Sequence, residues 1–223
     1  MYQFLYERHA MKLNRFIDHT CLAPNATKRD IERLCTEAVS YSFKTVAING
    51  CWVSYAAQLL QGSNVGISAC IGFPLGAMTS QAKAYEAREA AHNGATEIDM
   101  VINIGLLKDK AYDECIADIK AVVDAAQLPV KVILECCLLT SDEIIQGCIC
   151  ARNAGAVFVK TSTGFSTYGA RVADVALMKK TVGDALEVKA AGGIHSADEA
   201  RAMIEAGASR IGASASCKIC SKD

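Results

Sequence analysis

No stretch of this chain is apolar for the roughly 20 residues that crossing a bilayer requires. The longest candidates, such as Val130 to Leu139, are broken by Lys131 and Glu135. An excess of either charge is missing as well: 23 Lys and Arg against 24 Asp and Glu give a formal net charge of −1. No basic stripe is present that would neutralise a row of phosphates, so neither a membrane nor a nucleic acid is an expected partner. Nor is a secretory signal expected, because Met1 to Leu13 carries Glu7, Arg8 and Lys12 where an apolar core would be needed. The expected location is therefore cytoplasmic. Histidine is scarce, and His9, His19, His92 and His195 stand without ligand spacing, so no metal and no cofactor is expected. A G-x-G-x-x-G loop is absent after the first strand pattern, where the chain reads Asp18-His-Thr-Cys-Leu-Ala-Pro, and this speaks against a dinucleotide enzyme.

Hydrophobic residues make up 52% of the sequence, enough for one well-buried core, while two domains would be cramped. Eleven cysteines could suggest a disulfide scaffold, but the chain is long for one and most of them fall in apolar or helical patterns. They read as small core hydrophobes. Cys148-Ile-Cys150 and the tail pair Cys217 and Cys220 are the groupings that a metal or redox role would use, and neither completes a donor set.

One rhythm runs from end to end: a short β-branched run, then a longer amphipathic stretch. The expected strands are Arg15 to His19, Thr45 to Asn49, Gly66 to Ile71, Glu97 to Asn103, Val130 to Glu135, Ala156 to Lys160, Leu186 to Ala190 and Arg210 to Gly212. Helix starts are signalled by Thr27, Thr79, Ser141 and Ser196, and stops by Gly94, Gly155 and Gly207. Eight βα units with no composition break fit a closed (β/α)₈ barrel of the TIM type, an α/β fold in a single domain. The division expected is an N-terminal extension over residues 1–11 and a barrel over residues 12–223.

Catalytic groups in such a barrel come from the C-terminal ends of its strands. Lys160 ends the sixth strand pattern, and Lys189 lies in the seventh. A lone buried ammonium is costly, so each lysine must be paired, deprotonated or reactive. An ion pair inside the barrel is the plain alternative. Two neighbouring lysines favour reactivity, because each disfavours the charge of the other and only a neutral amine is a nucleophile. Asp99 alternates with Ile98 and Met100 and so points away from the apolar face, toward the barrel interior. It could relay protons, or it could sit in a salt bridge to Lys189 or Lys131; Asp18 admits the same two readings. Thr20 could equally make only a strand-end hydrogen bond. Gly192 and Gly193 after the seventh strand, and Gly212 to Ser214 after the eighth, stand where barrels hold phosphate on backbone N–H groups, although an ordinary turn would also explain the first pair.

At these residues the chain resembles the deoxyribose-phosphate aldolases. The segments are Val159-Lys-Thr-Ser-Thr-Gly-Phe165, Val188-Lys-Ala-Ala-Gly-Gly-Ile194, Glu97-Ile-Asp-Met-Val101, Ile17-Asp-His-Thr20 and Gly72-Phe-Pro-Leu-Gly76, and the likeness runs from about Lys12 to Ser214. The resemblance implies a class I aldolase that reversibly cleaves 2-deoxy-D-ribose 5-phosphate to D-glyceraldehyde 3-phosphate and acetaldehyde, without a metal. Lys160 would then be the imine-forming lysine, Lys189 its pKa-lowering partner and Asp99 the proton relay. Asp18, Thr20 and Thr163 would be substrate contacts beside Gly192, Gly193, Gly212 and Ser214. The implied partners are phosphosugar and aldehyde substrates, with a homodimer or homotetramer as the assembly. The chain departs from the family pattern in Cys21-Leu-Ala-Pro24, where the family has Leu-Leu-Lys-Pro. It departs again at Asn49-Gly50 in place of Asn-Pro, and at Ala47 where cysteine is common. A different lysine-dependent barrel enzyme and a non-catalytic phosphosugar-binding barrel are the alternatives. A substrate panel separates the first and turnover the second.

Overall fold

The computed structural model describes residues 12–221, so the expected extension over 1–11 lies outside the described residues. Eight parallel strands close into a barrel in sequence order: β1 (Ile17–Cys21), β2 (Thr45–Asn49), β3 (Gly66–Ile71), β4 (Glu97–Val101), β5 (Val130–Ile133), β6 (Phe158–Lys160), β7 (Glu187–Ala191) and β8 (Arg210–Ala213). The outer helices are α1 (Lys28–Tyr41), α2 (Val53–Leu59), α3 (Ser80–His92), α4 (Ile104–Lys108), α5 (Tyr112–Ala126), α6 (Ser141–Asn153), α7 (Val172–Val182), α8 (Ala197–Glu205) and α9 (Ser216–Cys220). None of the described helices is long and apolar enough to cross a membrane. The eleven cysteines, all within the described residues, carry no disulfide.

Alternation along the strands sorts side chains into two layers. Ile17, Val46, Ile48, Ile67, Ile98, Met100, Val132, Val159, Val188 and Ile211 are buried in the apolar core beneath the helices. The intervening residues Asp18, Ser68, Asp99, Lys131, Lys189 and Arg210 meet one another inside the barrel. The apolar layer drives closure, because burial is worth roughly 25 cal/mol per Å² of apolar surface. The polar layer is what closure then brings together.

Strands two and three run over the expected residues, and the other boundaries move for local reasons. A 3₁₀ turn over Leu13–Phe16 takes the start of the first expected strand, and β1 begins at Ile17. β4 stops at Val101 because Asn103 turns to cap α4, its side chain accepting from the Leu106 N–H at 3.2 Å. β5 stops at Ile133, and Glu135 enters the left-handed region at φ 59°. Thr140, rather than Ser141, heads α6: its hydroxyl accepts from the Glu143 N–H, and the Glu143 carboxylate accepts from the Thr140 N–H. Thr27 with Asp30 and Ser196 with Glu199 make the same reciprocal caps on α1 and α8.

Candidate active site

Asp99 is fully buried at the centre of the barrel and accepts from four groups. Lys160 and Lys189 both donate to Oδ2 at 2.7 Å, while Lys131 and Ser68 donate to Oδ1 at 2.8 and 2.7 Å. Strand register makes this possible, since Lys160 lies beside Lys189 and Asp99 beside Lys131. Lys189 also reaches Asp18 at 2.5 Å, Asp18 accepts from Arg210 and Thr45, and Arg210 continues to Glu97, which meets Lys131 at 2.6 Å. Three carboxylates thus face four cationic side chains in this network. Burial would raise the Asp99 carboxyl, but Lys131, Lys160 and Lys189 outweigh it and hold the group well below the usual carboxylate range. Asp18 is likewise pushed up by burial and pulled down by Lys189, Lys131 and Arg210, to about 2. Burial disfavours the Lys189 ammonium, yet Asp18 and Asp99 prevail and hold its pKa above the ordinary lysine range. Lys189 therefore rests protonated beside Lys160. Buried Cys70 is kept a thiol, its pKa raised by burial to about 11, so it does not compete as a nucleophile.

Above this network opens a cavity of about 510 Å³ at the C-terminal ends of the strands, with Lys160 in its wall. Of the other residues expected at the site, Thr20, Thr163, Gly192, Gly193, Gly212 and Ser214 also line it. Asp18, Asp99 and Lys189 do not: they form the layer beneath, and only Lys160 carries the network to the open space. Gly192 has φ 87°, and a Cβ there would stand 3.0 Å from the Gly169 Cα, so this loop packs backbone against backbone. A Cβ on Gly193 would meet nothing within 4 Å, which leaves that backbone open to approach. Thr20 also makes the plainer bond, its hydroxyl donating to the Asp18 carbonyl at 2.9 Å.

An amine that ends a barrel strand, faces a cavity and shares a carboxylate with a buried ammonium suits imine chemistry. The sequence profile of the DeoC/LacD family aldolases matches residues 13–222. The chain belongs to this family. A deoxyribose-phosphate aldolase of Enterococcus faecalis is 56% identical over 206 residues, covering 92% of this chain and 94% of its own. One from Lysinibacillus sphaericus is 57% identical over 202 residues, covering 90% and 91%. The solved structure of a tetrameric deoxyribose phosphate aldolase from Aeropyrum pernix superposes with a TM-score of 0.87 at 31% identity, covering 99% of this chain and 97% of that one.

In this aldolase, sequence reasoning passed over several groups that shape the site. Glu135 accepts from both the N–H and the hydroxyl of Thr163, fixing that residue against the cavity. Phe165 lines the cavity and meets Phe73 edge-to-face at 5.3 Å, which places the Gly72–Gly76 loop at the mouth. A Cβ on Gly76 would lie 2.1 Å from the Ile102 carbonyl oxygen, so only glycine fits there. His195 is a further lining residue. At the departures from the family pattern, Ala23 and Pro24 line the cavity, and the Asn49 amide donates to the Leu22 carbonyl at 3.2 Å, tying the first loop to β2. Arg210 and Glu97 were open to detection, because each is a charge in an apolar strand at the spacing that points inward. Glu135 shares the parity of Lys131 in the expected fifth strand, but the chain leaves that strand after Ile133 and Glu135 enters a left-handed turn, so its contact with Thr163 was not legible.

Proposed function

We propose that Lys160 is the nucleophile of this site, Asp99 and Lys189 its proton-handling groups, and the Gly192, Gly193, Gly212 and Ser214 end of the cavity its phosphate seat. The reaction is that of a class I deoxyribose-phosphate aldolase: reversible cleavage of 2-deoxy-D-ribose 5-phosphate to D-glyceraldehyde 3-phosphate and acetaldehyde, a step of deoxyribonucleotide catabolism. The neutral Lys160 amine adds to the C1 aldehyde of the open-chain sugar, and the carbinolamine loses water to give a protonated imine. As the C3 hydroxyl loses its proton, the C2–C3 bond breaks and its electron pair moves into the imine, leaving an enamine on Lys160 and releasing D-glyceraldehyde 3-phosphate. Protonation of the enamine at C2 and hydrolysis by one water, the equivalent of that lost earlier, release acetaldehyde and restore Lys160.

Position supports Lys160 as the attacking amine. The network holds one cation more than it holds carboxylates, and Lys160 is the member at the cavity. Asp99 Oδ2, one hydrogen bond from both amines, is the atom through which a proton passes between them and the substrate. Thr20 and Thr163 offer hydroxyls to the sugar, and Asp18 serves from below by fixing Lys189.

The observation that carries this reading is the Lys160–Asp99–Lys189 arrangement beneath the cavity. Incubation with deoxyribose 5-phosphate and borohydride is expected to leave a reduced adduct on Lys160, seen by mass and peptide mapping, and none in Lys160→Ala. No adduct under conditions that trap a known lysine aldolase would overturn the mechanism.

The same proposal includes a cytoplasmic location, which the eleven unbridged cysteines support, since a reducing compartment keeps thiols apart. It also includes self-assembly to a dimer or tetramer, supported by the exposed apolar side chains Leu75 and Tyr85 and checked by light scattering.

A further inference from the structure

Outside the barrel wall, three side chains from distant parts of the chain converge. His19 leaves β1 on the face opposite Asp18 and packs its ring on Phe43, with centroids 5.1 Å apart. Its Nε2 stands 2.8 Å from a Glu37 oxygen on α1. Cys217 on α9 completes the group, and the three ligand-type atoms all lie within 4.8 Å of one another. All three residues border a second cavity of about 520 Å³, separate from that of Lys160. Arg33 also borders it, but its charge is met by Asp30 at 3.0 Å.

We propose that His19, Glu37 and Cys217 form a binding site for one divalent ion of the zinc class, with its fourth position open to the second cavity. An imidazole nitrogen, a carboxylate oxygen and a thiolate are each established zinc donors, and three protein donors with one open position is a known coordination pattern. Bond lengths of roughly 2.0–2.3 Å place donors roughly 3.3–3.8 Å apart around a tetrahedral ion, so closing the group needs side-chain movement on the order of 1 Å. Glu37 is partly exposed, and Cys217 lies on a helix of five residues, which gives that freedom. On binding, the Cys217 thiol releases its proton to solvent and the thiolate takes the metal in its place. His19 is buried, only 3% exposed, and acts as the fixed donor on which the other two close.

The site would tie β1, α1 and α9 together at a point next to the reaction chamber. Thr20, Leu22, Ala23 and Ser214 line both cavities, and Ser214 precedes α9 by two residues. An ion on Cys217 would therefore steady the wall that carries Ser214, without entering the chemistry at Lys160.

Cobalt(II) titration of the purified, metal-stripped protein tests this, because a cobalt–thiolate bond absorbs in the near ultraviolet. The expected result is saturation at one ion per chain with a thiolate band, together with a rise in melting temperature that zinc reproduces. Cys217→Ser should abolish the band, Glu37→Gln should weaken affinity at least about tenfold, and Cys51→Ser, which removes an exposed thiol elsewhere, should change neither. No thiolate band, a band that survives Cys217→Ser, or one that disappears with Cys51→Ser would overturn the assignment. Circular dichroism verifies that each variant is folded, and if Cys217→Ser is not, unchanged affinity in Glu37→Gln overturns it alone.

Discussion

Asp18 shows how an interior carboxylate can be structural and still serve the chemistry. It is fully buried, holds Lys189 and Arg210, and its pKa falls from 3.8 to about 2 against the pull of burial. A carboxyl whose folded pKa is depressed contributes stability that is present above its unfolded pKa and lost as pH falls through the folded value. For Asp18 that window lies between about pH 4 and pH 2, and the shift corresponds to about 2 kcal/mol. Asp18→Asn should therefore be less stable than the parent near pH 5, and the gap measured by urea unfolding should narrow as the pH drops toward 2. A gap of constant size across that window would mean that the ionised carboxylate is not what stabilises the fold. The ion-pair reading of Asp99 is met at this scale, one oxygen serving two amines, and the proposed proton relay would use the same two contacts. Periodicity brought Asp99 and Lys160 to notice. It could not say that Asp18 sits beneath the cavity, because depth along a strand depends on the stagger of the closed barrel.

Four of the five helices with a capping side chain were legible in the sequence, α4 under Asn103 being the exception, and those without one were not. Thr27, Thr79 and Ser196 announce α1, α3 and α8, while α2, α5, α7 and α9 begin without a side-chain cap bond and passed unmarked. Tertiary packing holds α5, whose Ile119 and Val122 are fully buried, so no start signal is needed there. Where a reciprocal cap exists it should matter: Thr140→Ala is expected to cost about 1 kcal/mol in chemical denaturation, with activity retained. No measurable loss would show that packing alone sets the start of α6. The loop after β7 is tested by Gly192→Ala, which adds a Cβ 3.0 Å from the Gly169 Cα at a backbone angle that alanine resists. If this loop seats the phosphate, KM for deoxyribose 5-phosphate should rise on the order of tenfold, equivalent to about 1.4 kcal/mol, while turnover of unphosphorylated deoxyribose holds steady. Equal losses on both substrates would reduce the loop to scaffold.

Across the whole molecule, the barrel was the most legible feature, because eight repeats of one pattern leave few ways to bury eight apolar faces. The ionic network was only half legible: its seven charged members lie in six strands, and sequence spacing does not say which charges meet across a closed interior. The network nevertheless behaves as one unit, since four cations share three carboxylates and removing any one changes the balance for the rest. Lys131 makes this testable. It is wholly buried, it touches Glu97 and Asp99 but not the cavity, and it has no place in the covalent steps. In Lys131→Met the three carboxylates face three cations, so the excess of one cation disappears. The ascending limb of the pH profile of kcat/KM should then move to higher pH, with the borohydride adduct still forming on Lys160 once the pH is raised. If only local packing were lost, activity would fall by the same factor at every pH and the limb would stay in place. A limb that stays or moves to lower pH would therefore show that charge balance in the barrel does not tune the reaction.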